Sequence, residues 1–113
     1  MARIGSIDMG ELTDTIYYIL IALLEESHGY RIMQKVEQIT GGEFVIGPGS
    51  LYTTLKKLQN AGLIERTANS QDNKKTYRLT DKGLEMLKNE VNRKKEMVRH
   101  AEEKLMEMGK SDE

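Results

Sequence analysis

Residues 48–64 read Pro48-Gly49-Ser50-Leu51-Tyr52-Thr53-Thr54-Leu55-Lys56-Lys57-Leu58-Gln59-Asn60-Ala61-Gly62-Leu63-Ile64. Leu51, Leu55 and Leu58 recur at helical spacing and form one buried stripe. Pro48 suits a first helical turn, where its preset φ helps and its missing N–H costs nothing. Gly62 stops the helix. Ser50, Tyr52, Thr53, Lys56 and Lys57 lie off the leucine stripe. A helix of this kind buries one face and offers the other to the major groove of DNA. There its hydroxyls and amines donate to phosphates and base edges.

Two helices are expected before it. Leu12 to Glu26 carries Ile16, Ile19, Leu20, Leu23 and Leu24 at helical spacing, with Thr13 or Asp14 as its cap. Ser27 caps a second helix from His28 to Ile39, with Tyr30, Ile32, Met33, Val36 and Ile39 inward. Gly41-Gly42 ends it. Phe44-Val45-Ile46 is β-prone and predicts a stub strand. After the third helix, Leu63 to Ala68 and Lys75 to Thr80 read as strands. The polar run Asn69 to Lys74 is the turn between them. Lys74 and Lys75 make the hairpin tip basic. Thr80 then caps a last helix from Asp81 to about Met106, and the chain frays from Gly109. The order is helix, helix, short strand, helix, hairpin, helix. It predicts an α+β, mostly helical chain: a winged helix-turn-helix domain over residues 1–80, a dimerisation helix over 81–108 and a tail over 109–113.

The charge distribution agrees with a DNA face. The net charge is only −1. Residues 27–78, however, hold eight cations against four anions, while residues 1–26 hold one against five. A local basic surface suffices for phosphate binding, because the field decays within about a Debye length. Cysteine is absent, which removes thiol chemistry and Cys-based zinc sites and fits a cytoplasmic location. No apolar run is long enough to span a bilayer. His28 and His100 have no ligand-spaced partner, and no nucleophile–base pair or phosphate loop occurs. No metal, cofactor or enzymatic activity is expected.

The motifs together resemble the PadR family of transcriptional regulators. They are Gly29-Tyr30, Pro48-Gly49-Ser50-Leu51-Tyr52-Thr53-Thr54-Leu55, Leu58, Gly62-Leu63-Ile64, Lys75-Thr76-Tyr77-Arg78-Leu79-Thr80 and Gly83. The single C-terminal helix is similar to the family's small-subunit branch. The resemblance implies a homodimeric repressor on a pseudo-palindromic double-stranded DNA site. In some members a small aromatic or cationic effector releases the DNA. It also implies that Ser50, Tyr52, Thr53 and Lys56 lie on the recognition helix, Tyr30 near the phosphate backbone, and Lys74 and Lys75 on the wing. Many members carry proline where this chain has Thr53.

A dimer is expected from the last helix independently. Leu84, Leu87, Val91, Lys94, Val98, Ala101 and Leu105 alternate in steps of three and four, a heptad seam with one polar member. Lys94 is expected to snorkel or to pair with Glu90. Plainer readings stand beside these. Tyr30 and Tyr52 suit a core edge with a wet hydroxyl. Lys56-Lys57 and Lys74-Lys75 suit solvated surface. A winged-helix module that binds protein in place of DNA is the rival function.

Overall fold

The structure, a computed structural model, describes residues 3–4, 7–8, 12–67 and 74–111. Two short strands, β1 (Arg3–Ile4) and β2 (Ile7–Asp8), pair with each other. They are followed by α1 (Asp14–Ala22), β3 (Ser27–His28), α2 (Gly29–Ile39) and α3 (Pro48–Asn60). The chain ends in β4 (Ile64–Arg66), β5 (Thr76–Leu79) and α4 (Asp81–Ser111). The architecture is the expected winged helix-turn-helix with a long C-terminal helix.

Thr13 caps α1, its Oγ accepting from Ile16 N–H at 3.2 Å. The helix ends at Ala22, four residues before the expected Glu26. The chain must turn there to lay Ser27 and His28 beside β5, where Ser27 faces Tyr77 and His28 faces Thr76. This β3 is the third strand of an antiparallel sheet ordered β3-β5-β4. The strand expected at Phe44–Ile46 does not form. Phe44 instead donates its N–H to Thr40 Oγ at 3.1 Å and packs against Tyr18, with ring centroids 5.0 Å apart.

The cap of α2 is His28, not Ser27: its Nδ1 accepts from Arg31 N–H at 3.3 Å. Ser27 is buried, and its Oγ accepts from Lys35 Nζ at 2.6 Å. Gly29, Ile32 and Val36 form the buried face of α2. Tyr30 and Ile39, expected inward, are 61% and 51% exposed. Gly41 and Gly42 carry the positive φ that closes the helix.

Leu51, Leu55 and Leu58 of α3 are buried and meet Ile19, Leu20, Ile32, Val36, Leu63 and Ile64 in one core. Gly62, at φ 76°, turns the chain from α3 into β4. Thr80 Oγ accepts from Gly83 N–H at 3.1 Å, capping α4 as expected. Gly83 sits so close to β4 that an added Cβ would lie 2.0 Å from Leu63 O. The helix then continues through Gly109 to Ser111, beyond both the Met106 end and the onset of fraying read from the sequence. At 31 residues it is about 46 Å long.

Candidate nucleic-acid interface

Three elements converge on one concave surface. Helix α3 supplies Tyr52, Lys56 and Gln59, a stripe at i, i+4 and i+7. The β3–α2 junction supplies His28, Gly29 and Tyr30. The β5 side of the wing supplies Lys74, Lys75 and Tyr77. Together they line an open groove of about 710 Å³. Five of the sequence-predicted DNA residues are therefore neighbours: Tyr30, Tyr52, Lys56, Lys74 and Lys75. Ser50, Thr53 and Lys57 stand on the adjoining stripe of α3, exposed but outside the groove.

The groove exists because Gly29 is small. A Cβ there would lie 2.6 Å from the Tyr52 hydroxyl oxygen and 2.9 Å from its ring carbons. Tyr52 thus rests on the start of α2 while staying 52% exposed. Arg31, Lys56, Lys74 and Lys75 are exposed and in no ion pair among the described residues. Ammonium groups of Lys56, Lys74 and Lys75 on a concave wall, with the Arg31 guanidinium nearby on α2, concentrate positive potential, as phosphate binding requires.

The wing is held at its stem. The Thr67 hydroxyl donates to Glu26 and accepts from the Thr76 hydroxyl, whose single proton can reach either Thr67 or Glu26. Thr67 N–H donates to Thr76 O at 3.0 Å, and Arg78 pairs with Glu65 at 2.8 Å across the strands. The turn expected at residues 69–74 lies outside the described residues except for Lys74.

Sequence reasoning passed over His28 and Gln59 as members of this surface. Gln59 was legible, since it lies seven residues after Tyr52 on the same helical face. His28 reads from the sequence as the first residue of the second helix and as a histidine without a ligand-spaced partner; its place in the groove comes from β3, which has no periodicity of its own. Burial first, then Lys74 and Arg31, hold its imidazole below the ordinary histidine value.

The heptad positions divide along α4. Leu87 is buried within its own chain, and Val91 packs against the same core. Leu84 is half-buried. Lys94 lies at the border: its Nζ is 3.4 Å from Glu90 Oε2 and 4.8 Å from the centre of the Tyr17 ring. Val98 and Leu105 are 55% and 65% exposed, and Ala101 is exposed too. Glu90 is buried and gripped by Arg93 at 2.7 and 2.8 Å. Hydrogen bonds from Arg93 hold its carboxyl below the ordinary value, against the opposing effect of burial. Among the described residues no cluster of metal-ligating side chains occurs, and no helix is long and apolar enough to cross a membrane.

Comparison with known proteins places this geometry. The model of the transcriptional regulator PadR-like family matches residues 18–89. The transcriptional regulator YqjI of Escherichia coli is 36% identical over 96 residues, 85% of this chain and 43% of that protein. The transcriptional activator GvpE2 of Halobacterium salinarum is 30% identical, over 69% of this chain and 38% of its own. The chain thus spans less than half the length of these relatives. Among solved structures, Bacillus subtilis PadR in complex with operator DNA is 29% identical with a TM-score of 0.63, covering 72% of this chain and 48% of that one. A PadR-like transcriptional regulator from Bacillus cereus is 31% identical with a TM-score of 0.64, covering 81% and 90%. A family match over more than half of the chain, on a winged helix-turn-helix with a basic groove, makes this protein a member of the PadR-like family of transcriptional regulators.

Proposed function

We propose that the chain is a sequence-specific DNA-binding regulator that represses transcription as a homodimer on a pseudo-palindromic promoter site. The observation that carries this reading is the meeting of Tyr30, Tyr52, Lys56, Lys74 and Lys75 in one groove. Helix α3 enters the major groove with Ser50, Tyr52, Thr53, Lys56 and Lys57 toward it, while the wing follows the adjacent backbone. That Bacillus subtilis PadR is in complex with operator DNA supports DNA as the partner. The dimer is formed through α4, whose outer half leaves Val98, Ala101 and Leu105 exposed.

An effector site is proposed beside that helix. Tyr17, Val91, Lys94, Lys95, Val98 and Glu102 line an open cleft of about 370 Å³. Beside the Tyr17 ring, two ammonium groups outweigh the single Glu102 carboxylate, which favours a planar aromatic ligand over a cationic one.

The test is fluorescence anisotropy with a mixed-sequence duplex across a salt series. Lys56→Ala and Lys74→Ala should each weaken binding and lower the salt slope by roughly one unit per lost phosphate contact. Unchanged affinity and slope in both variants would remove the groove as the DNA interface and favour a protein-binding role.

A further inference from the structure

His28 lines the groove and has a polar side chain to which no role has yet been given. Its backbone belongs to β3 and pairs with Thr76, two residues after Lys74, so its position is tied to the wing. Its Nδ1 accepts from Arg31 N–H at 3.3 Å. A nitrogen that accepts carries its lone pair, so the proton of the neutral ring is on Nε2. Nε2 has no hydrogen-bond partner among the described residues. The ring is half-buried and lines the groove with Tyr30, Tyr52, Lys56 and Lys74. The result is a fixed tautomer with one unused N–H on a surface that also carries the ammonium groups of Lys56, Lys74 and Lys75.

We propose that His28 is a phosphate-binding residue, its Nε2–H donating to a phosphate oxygen of DNA seated in the groove while the ring remains neutral. The assignment rests on the DNA-binding reading above. It differs in kind from the lysine contacts. A lysine neutralises a phosphate and releases a counterion, so its contribution fades as salt rises. A neutral donor displaces no counterion, and its contribution is the same at every salt concentration. The cap bond has already fixed the ring, so little side-chain entropy is lost when DNA arrives. Protonation would sacrifice the cap, because Nδ1 would have to become a donor. Burial and the facing charges of Lys74 and Arg31 act in the same direction.

The separating variant is His28→Ser. Serine is among the best helix caps, so it keeps the bond to Arg31 N–H, but its short hydroxyl cannot reach into the groove. Anisotropy with a mixed-sequence duplex is measured across a salt series for the wild type, His28→Ser and Lys74→Ala, with thermal melting of each. The expected result is that His28→Ser melts as the wild type does and loses roughly three- to tenfold affinity per protomer at every salt, the worth of one neutral hydrogen bond. Its salt slope is unchanged, whereas Lys74→Ala lowers the slope. If His28→Ser binds as tightly as the wild type while Lys74→Ala weakens binding, the inference is wrong and the DNA-binding reading stands. A slope lowered by about one unit in His28→Ser would mean an imidazolium contact and overturn the neutral assignment. If Lys56→Ala and Lys74→Ala also bind normally, the groove is not the interface and both readings fall. A second measurement needs no variant. Long-range ¹H–¹⁵N spectra of the wild-type imidazole should show the Nε2–H tautomer free and bound, with its Nε2 resonance moved by the duplex. An unmoved resonance would contradict the contact.

Discussion

Two glycines show how differently a single hydrogen can matter. At Gly83 a methyl group would meet the backbone oxygen of Leu63 at 2.0 Å, and neither α4 nor β4 can retreat without opening the core. Gly83→Ala should cost about 3 kcal/mol or more and lower Tm by over about 10 °C. At Gly29 the obstacle is the far end of the Tyr52 side chain, which is half-exposed and free to swing away. Gly29→Ala should therefore cost less than about 1 kcal/mol of stability. It should nonetheless weaken or redirect DNA binding, because Tyr52 leaves the groove; melting and anisotropy on the two variants check both statements. Glu90 supplies a third residue-scale prediction. Its carboxyl is held below the ordinary value of 4.5 in the folded chain. The unfolded chain thus takes up a proton first as pH falls. The stability it contributes is complete above about 4.5 and is lost as pH drops through the lower folded value. Glu90→Gln should flatten the acid limb of stability against pH, read from denaturant titrations at stepped pH.

At the scale of elements, the features encoded locally are the ones the sequence makes legible. The leucine stripe of α3, the glycine stops at Gly41-Gly42 and Gly62, and the Thr80 cap are each encoded within a few residues. What failed was set by distant partners. A two-residue strand such as β3 has no period to detect, and it exists only because β5 offers an edge to Ser27 and His28. Phe44-Val45-Ile46 has the composition of a strand but no such edge, so Phe44 packs on Tyr18 instead. Tyr30 received two incompatible readings, inward by hydrophobic spacing and outward by resemblance. The buried face through Gly29, Ile32 and Val36 leaves it outward. Among the candidate site residues, those on one helix face were legible together, and His28 was not. The wing yields a prediction of its own. Glu26 ties both wing strands to the α1–β3 turn through Thr67 and Thr76. Glu26→Ala should loosen the wing and weaken DNA binding by about threefold, while removing at most about 1 kcal/mol of stability. A double-mutant cycle with Lys74→Ala checks it: the two effects should be less than additive, since a wing that has lost its lysine gains less from being held in place.

At the scale of the molecule, α4 serves two purposes along its length. Its first turns complete the core of the winged domain through Met86 and Leu87. Its outer part carries Met97, Val98, Leu105, Met106 and Met108 into solvent, each more than half exposed. The heptad reading treats the seam as uniform, but its two ends should respond differently to a buried charge. Leu87→Asp should unfold the domain. Val98→Asp with Leu105→Asp should leave the fold intact and give a monomer by sedimentation equilibrium. The pair forfeits roughly 1.5–3 kcal/mol of burial for each side chain in the proposed dimer. The central claim is that two such domains, joined through α4, read two halves of one DNA site. Selection of bound sequences from a random duplex pool tests it most directly. The expected result is enrichment of a two-fold symmetric motif whose half-sites are spaced by about 10 base pairs or a multiple of that, the repeat at which a dimer presents two recognition helices to one side of the duplex. A pool that remains random, or an enriched motif without two-fold symmetry, would contradict it.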